Sequence, residues 1–317
     1  LRSHPDAPKP LLLHGHSGAV RKLLFSDEPH HAEPRGRLPL LFSASADRTV
    51  RIWDLNHTDV TKACVQTLVG HGGTVTDIVY ANSSLITSST DGTIRVWEAQ
   101  RDGGLMLHPW FLPAAVLDDV RGWANALALH TRAEPSALYV GDSTGTISVY
   151  RAIPQPNAGF VLEMWRRQPS AHELGISRLL LLSPDSVVAS LSFDCTARLF
   201  DMHTGTMLFS IGNEGGCHFT SACWDHEHAE LLLGDEQGSL LVWDTTLDQP
   251  TLSEKLQMKT LHAASQASKR GGILACKPVA AAEAAARTSV REGGSATAIV
   301  GLSILNGQVY TSGGSNI

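Results

Sequence analysis

Histidine, aspartate and serine recur together along this chain, the residue types of a general base, the acid that orients it and a nucleophile. His16 precedes Asp47 and His71 precedes Asp91, and each aspartate stands six residues before a tryptophan, Trp53 and Trp97. His172 precedes Asp194, which stands six before Phe200. Such a trio catalyses acyl transfer only where the nucleophile faces a substrate. No phosphate loop of the G-x-x-x-x-G-K type, no G-x-S-x-G elbow and no H-E-x-x-H pair occurs, so no catalytic residue is assigned. Cys217, His218, Cys223, His226 and His228 form the densest group of metal-ligand types. Their C-x5-C-x2-H-x-H spacing departs from zinc fingers and ribbons. Cys223 falls in a strand beside Trp224, whereas His226 and His228 fall in its hairpin loop, so the side chains diverge. His30 and His31 likewise read as loop residues. No metal and no cofactor is assigned.

The elements that position these residues are strands. Ser45 to Asp54 (SADRTVRIWD) and Ser89 to Glu98 (STDGTIRVWE) match closely, with alternating apolar positions of period two. Upstream, Gly15-His16-Ser17-Gly18-Ala19-Val20 aligns with Gly70-His71-Gly72-Gly73-Thr74-Val75. Weaker copies follow. The first ends in GDSTGTISVYR, with Thr144 at the turn position and Tyr150 for Trp; the next reads SFDCTARLFD, closing on Phe200. A third, Phe219 to Asp244, has Gln237 at the turn and closes on Trp243-Asp244. A sixth copy begins at Ala296 and stops before its third strand. Asp91-Gly92, Thr144-Gly145 and Gln237-Gly238 supply a glycine where a tight hairpin needs positive φ.

The Gly-His opening and Trp-Asp close resemble the WD repeat. The resemblance implies an all-β fold, a WD-repeat β-propeller of four-stranded antiparallel blades. The chain supplies five full blades and a truncated sixth, with seven expected in the complete protein. The closing aromatics, 53, 97, 150, 200 and 243, lie 43 to 53 residues apart, which suits such blades. Residues 1–317 then form one propeller domain, with Pro10 to His14 placed as the outer strand of a preceding blade. In this family His, turn Asp, a strand Ser or Thr, and Trp form a hydrogen-bonded network. That role is implied for His16, Asp47 and Trp53, for His71, Asp91 and Trp97, and for His172 and Asp194, whose Phe200 lacks a donor. Blades closing on Tyr150 and Trp243 are expected to lean on apolar packing and to be softer.

After Trp243 the outer strand is placed at Lys255 to Leu261, and residues 262–295 are read as an inserted loop. The resemblance puts that connection on the face where partners dock. Lys269, Arg270, Lys277, Arg287 and Arg291 face only Glu283 and Glu292 there, so a basic segment hangs on an acidic chain. Pro278 to Arg287 (PVAAAEAAAR) reads as a short helix with too little apolar surface to stand alone. These five residues are the candidate partner-binding set. Loops Ser26 to Pro39 and Gln100 to Leu112, the latter with Trp110 and Phe111, offer a second surface, although aromatics there are more simply strand residues packed between blades.

With 43% hydrophobic and 18% charged residues the chain is globular. A formal charge of −6 gives no footprint for nucleic acid or an anionic membrane. No stretch reaches the roughly 18 to 20 apolar residues of a membrane span. Five cysteines without framework spacing indicate free thiols in a reducing compartment. An intracellular location is expected, in cytoplasm or cytoskeleton, the cilium or flagellum included. The chain opens on Leu1 rather than Met, as a processed or partial piece of a longer protein would. The function expected is a non-catalytic scaffold for other proteins within a large assembly, with neither nucleic acid nor a small-molecule substrate as partner. Two alternatives are a ciliary or cytoskeletal component binding acidic polymer surfaces and a ubiquitin-ligase substrate receptor. The receptors in this family often carry an Arg two residues after Trp-Asp. Leu55-Asn56 and Thr245-Thr246 stand there instead.

Overall fold

The computed structural model describes residues 12–26, 40–57, 59–100, 110–131, 136–155, 159–182, 187–244, 251–257, 288–290, 298–305 and 308–314. They form five four-stranded sheets and one three-stranded sheet. The first sheet runs β1 (Val20–Phe25), β2 (Leu40–Ser45), β3 (Thr49–Asp54), β4 (Cys64–Val69). The second runs β5 (Val75–Ala81), β6 (Ser84–Ser89), β7 (Ile94–Gln100), β8 (Trp110–Leu117), and the third β9 (Ala124–His130), β10 (Ala137–Asp142), β11 (Ile147–Pro154), β12 (Phe160–Gln168). The fourth holds β13 (Ile176–Leu181), β14 (Val187–Ser192), β15 (Thr196–Asp201), β16 (Met207–Gly212), and the fifth β17 (Phe219–Asp225), β18 (Glu230–Asp235), β19 (Ser239–Asp244), β20 (Thr251–Gln257). In all five, strand order follows chain order, as short hairpins dictate. The fold class is thus the all-β one expected from the repeats, in four-stranded antiparallel sheets.

Two bulges repeat with the sequence. Pairing slips one residue after the start of the inner strand, between Val20 and Lys22, Val75 and Asp77, Ile176 and Arg178, and Phe219 and Ser221. It slips again just before the closing aromatic, at Trp53, Trp97, Phe200 and Trp243. A bulge sharpens the local twist, so the eroded fifth repeat keeps the backbone device after losing the side-chain signature. The turn glycines Gly92, Gly145 and Gly238 have φ of 80°, 77° and 79°. At Gly145 a side chain is excluded twice over, because a Cβ would also lie 2.3 Å from the His172 carbonyl oxygen. Arg48 and Cys195 hold the same turn position in the first and fourth sheets at φ 70° and 64°.

The chain divides into two compact units, one made of Leu1–Thr131, Pro135–Leu138 and Tyr150–Glu163, the other of Arg132–Glu134, Tyr139–Val149 and Met164–Ile317. Within the first, Phe42, Ile52 and Leu68 of one sheet pack on Val75, Ile78, Leu85, Trp97 and Phe111 of the next. Gln66 of β4 adds a clasp, donating from Nε2 to Phe111 O at 2.7 Å and accepting from Phe111 N–H at 2.9 Å. Within the second unit, Leu191, Leu199 and Ile211 pack on Phe219, Leu231 and Leu241.

Three expectations are corrected. Leu12 to His14 form no strand, and Leu13 instead packs on Leu41, Trp53 and Ala63. The fifth outer strand starts at Thr251 rather than Lys255. Leu252 there pairs with Trp243 as Cys64 pairs with Trp53, three residues ahead of the sequence alignment. The insertion 262–295 is not loop throughout, because β21 (Thr288–Val290) pairs parallel to β23 (Gln308–Gly314), which itself pairs antiparallel with β22 (Ala298–Leu305). A strand of three residues gives little periodic signal to read. The proposed helix at 278–287 and the basic residues Lys269, Arg270, Lys277, Arg287 and Arg291 lie outside the described residues.

Candidate functional site

Each histidine of the repeat sits in the connection leading into an inner strand, and each aspartate in the turn between the second and third strands of the same sheet. The fold closes these two ends on each other. Asp47 Oδ2 accepts from His16 Nδ1–H at 2.8 Å and from Ser17 N–H at 3.0 Å, while Oδ1 accepts from the Thr49 hydroxyl at 2.6 Å and Thr49 N–H at 3.0 Å. On the far side of the ring, His16 Nε2 meets Ser43 Oγ at 2.7 Å, and Trp53 Nε1–H donates to the same oxygen at 2.8 Å. With a carboxylate at Nδ1, every group is satisfied if the neutral ring carries its proton there and accepts the serine hydroxyl at Nε2.

The second sheet repeats the chain. His71 Nδ1 lies 3.1 Å from Asp91, His71 Nε2 lies 2.8 Å from Thr87 Oγ1, and Trp97 Nε1–H donates to Thr87 at 3.1 Å. In the fourth, His172 joins Asp194 at 2.9 Å and Ser190 at 2.6 Å, and Phe200 leaves the serine without an indole donor. Ser43, Thr87 and Ser190 went unnumbered in the sequence reading. Their signal is a hydroxyl residue ten positions before the closing aromatic.

Electrostatics hold these groups in fixed charge states. Burial alone would raise the Asp47, Asp91 and Asp194 carboxyls, but the converging hydrogen bonds from threonine hydroxyls, histidine and backbone outweigh it and keep all three below the usual carboxylate range. Burial lowers His71 and His172 despite the carboxylate beside each. The histidine side chains are nearly sealed, with exposures of 1% for His71 and 0% for His172. An ionised acid bound to a neutral, solvent-excluded base whose other nitrogen already holds a hydroxyl has no room for a substrate.

Where the signature is eroded, the carboxylate has moved two residues upstream. Asp142 stands where Ser45 and Ser89 do, and its Oδ1 accepts from Thr144 N–H and hydroxyl at 2.8 and 2.6 Å and from Thr146 N–H at 3.1 Å. Asp235 does the same for Gln237 N–H at 3.0 Å and Ser239 N–H at 2.6 Å, with Asn213 Nδ2–H donating to its other oxygen at 3.2 Å. Both aspartates are 1% exposed. Tyr150, in place of Trp, donates to Asp119 at 2.6 Å. Val140 and Leu233 replace the hydroxyl residue, and Trp243 Nε1 is left buried with no acceptor. These sheets therefore keep a polar turn cap of their own besides apolar packing.

The other candidate groups have structural partners. Cys223 lies in β17 and His226 and His228 in its turn, as the sequence placed them; His228 pairs with Asp225 at 2.9 Å and His218 with Glu236 at 3.1 Å. Among the described residues no group of three or more His, Cys, Asp or Glu is arranged to hold a metal ion. Asp77 of β5 bonds Lys22 Nζ at 3.0 Å and Leu127 N–H at 2.9 Å. Phe111 is buried and Trp110 is half exposed, and both belong to β8 rather than to a loop. In the first unit a cavity of about 650 Å³ is lined by residues including Tyr80, Asn82, Leu129, Pro154 and Phe160. Among the described residues no helix is long and apolar enough to cross a membrane.

Comparison with known proteins fits this geometry. Residues 9–54 and 62–98 match the family described as WD domain, G-beta repeat. F-box/WD repeat-containing protein 9 of Bos taurus is 27% identical over 64% of this chain and 40% of its own length. Protein Notchless of Drosophila melanogaster is 33% identical over 38% of this chain and 21% of its own, and Nuclear distribution protein PAC1 of Ajellomyces capsulatus 28% over 35% and 24%. The chain spans two fifths or less of these relatives. Among solved structures, a chain of the Mitotic Checkpoint Complex superposes with a TM-score of 0.58 at 14% identity, covering 77% of this chain and 66% of that one. The computationally designed Ika8 protein gives 0.53 at 21%, covering 77% and 63%. At such identities the likeness shows the fold.

Proposed function

We propose that this chain, which carries WD repeats in four-stranded antiparallel sheets, is a non-catalytic scaffold that holds other proteins in an assembly. One observation carries the reading: every complete His-Asp-hydroxyl set is consumed within its own sheet. The residue types that could do chemistry are part-buried and mutually bonded. What remains for function is surface, which rigid sheets present without chemistry. The basic residues Lys269, Arg270, Lys277, Arg287 and Arg291 are the proposed docking set of the insertion, and an intracellular setting goes with this reading.

Affinity purification of the full-length protein from its own cells tests it, beside a variant with those five residues changed to Ala. A stoichiometric set of proteins retained by the parent supports the scaffold, and loss of that set in the variant supports the insertion as its docking element. Absence of any stoichiometric protein from both overturns the reading.

Similarity to F-box/WD repeat-containing proteins of Bos taurus and Caenorhabditis elegans favours a second reading, a substrate receptor of a ubiquitin ligase. Leu55-Asn56 and Thr245-Thr246 after the two Trp-Asp pairs weigh against it. Co-purification of ligase core subunits would select this reading over a static scaffold.

A further inference from the structure

At one end of the fourth sheet, beside the fifth, two connections bring apolar side chains to the surface. Leu174, just ahead of β13, is 54% exposed, and Phe193, in the turn after β14, is 47% exposed. They are neighbours: the Ser192 hydroxyl donates to Leu174 O at 3.0 Å and Phe193 N–H donates to Gly175 O at 3.1 Å. The Phe193 ring rests edge-on against His218, with centroids 5.2 Å apart, and His218 is held by Glu236 at 3.1 Å. Phe193 is therefore braced from below while its outer face meets water. An ordered aromatic beside a branched aliphatic costs little further entropy when a partner covers it.

The surroundings of this pair are acidic. Glu173 adjoins Leu174, its N–H fixed to Asp194 Oδ2 at 3.1 Å. Glu214 follows Asn213, whose N–H donates to Cys195 O at 3.0 Å, and Glu236 lies beyond His218 with N–H to His218 O at 3.4 Å. All three glutamates are exposed. The neighbouring cation Arg198 is committed inward, Nη1–H donating to Ala171 O at 2.6 Å and Nη2 lying 3.9 Å from Asp194. The backbone here runs in turns, so strand addition is not available and recognition falls to side chains.

We infer that Leu174 and Phe193, flanked by Glu173, Glu214 and Glu236, form a docking surface for a partner segment in which an apolar side chain is bordered by Lys or Arg. The inference rests on the scaffold reading and names one of its surfaces. Apolar contact anchors the segment, and the glutamates select basic flanks and repel acidic ones.

Selection of a displayed random-peptide library on the full chain tests it, with affinities of the enriched peptides read by fluorescence anisotropy. Enriched sequences carry Phe, Leu or Met between basic residues. Phe193→Ser, and separately Glu173→Lys with Glu236→Lys, weakens them about fivefold or more. Raising salt from about 50 to about 300 mM weakens them further. Leu208→Ser, an exposed apolar residue on β16, leaves binding unchanged. Enrichment of acidic or uncharged peptides, indifference to the Phe193 and glutamate variants, or failure to enrich any peptide overturns the surface. If the parent chain enriches no peptide while Phe193→Ser still retains stoichiometric cellular partners, this surface falls and the scaffold stands.

Discussion

At the scale of single residues, the same side chain has different worth in different repeats. Trp97 donates its indole N–H to Thr87, whereas Trp243, with Leu233 at the equivalent position, has no acceptor for its Nε1. Trp97→Phe is expected to cost about 1–2 kcal/mol more than Trp243→Phe, because the first loses a buried hydrogen bond and the second removes an unsatisfied donor. Urea melts of the two variants measure the difference, and equal costs would contradict it. The titrating groups predict a pH profile with two steps. Burial lowers His71 and His172 in the fold, so below about pH 6.5 the unfolded chain binds protons more readily than the folded chain does, and stability falls. Below about pH 4 the unfolded forms of Asp47, Asp91 and Asp194 take up protons that their folded carboxylates refuse, and stability falls again until the folded groups titrate. The unfolding midpoint should therefore drop between pH 7 and 5.5 and drop more steeply below 4. A flat midpoint over the first interval would mean that the two histidines are charged when folded.

At the scale of the strand and turn, the carboxylate cap outlasts the motif that announces it. Asp235 bonds Gln237 N–H, Ser239 N–H and Asn213, although sequence alignment puts Gln237 at the turn-aspartate position. Asp235→Ala should cost about 2 kcal/mol and Gln237→Ala well under 1. Denaturant titration of the pair decides whether the cap has moved. This shift marks the limit of what spacing reveals. The intact sets at Trp53 and Trp97 were legible because type and interval coincide, and inner strands begin at Val20 and Val75, where the repeat puts them. Aspartate at the serine position was not legible, because a carboxylate can cap a turn from either of two residues and only the backbone shows which N–H groups point at it. The outer strand at Thr251–Gln257 was misplaced for a related reason: outer strands carry one half-exposed face and no fixed residue type. Thr288–Val290 was missed because three residues give no period.

At the scale of the whole molecule, the proposed scaffold reading puts function on the surface, because the repeated polar sets are bonded within their own sheets. On that reading partners select among preformed patches with little backbone change. The chain itself has a mass of 34.0 kDa. The most direct measurement is size fractionation of native extract from the protein's own cells, followed by detection of this protein and mass spectrometry of its fractions. A scaffold should run in a discrete peak far above the mass of its own polypeptide, together with a fixed set of proteins. Migration wholly as the free polypeptide, with no protein tracking it across fractions, would contradict the claim that it works by holding others together.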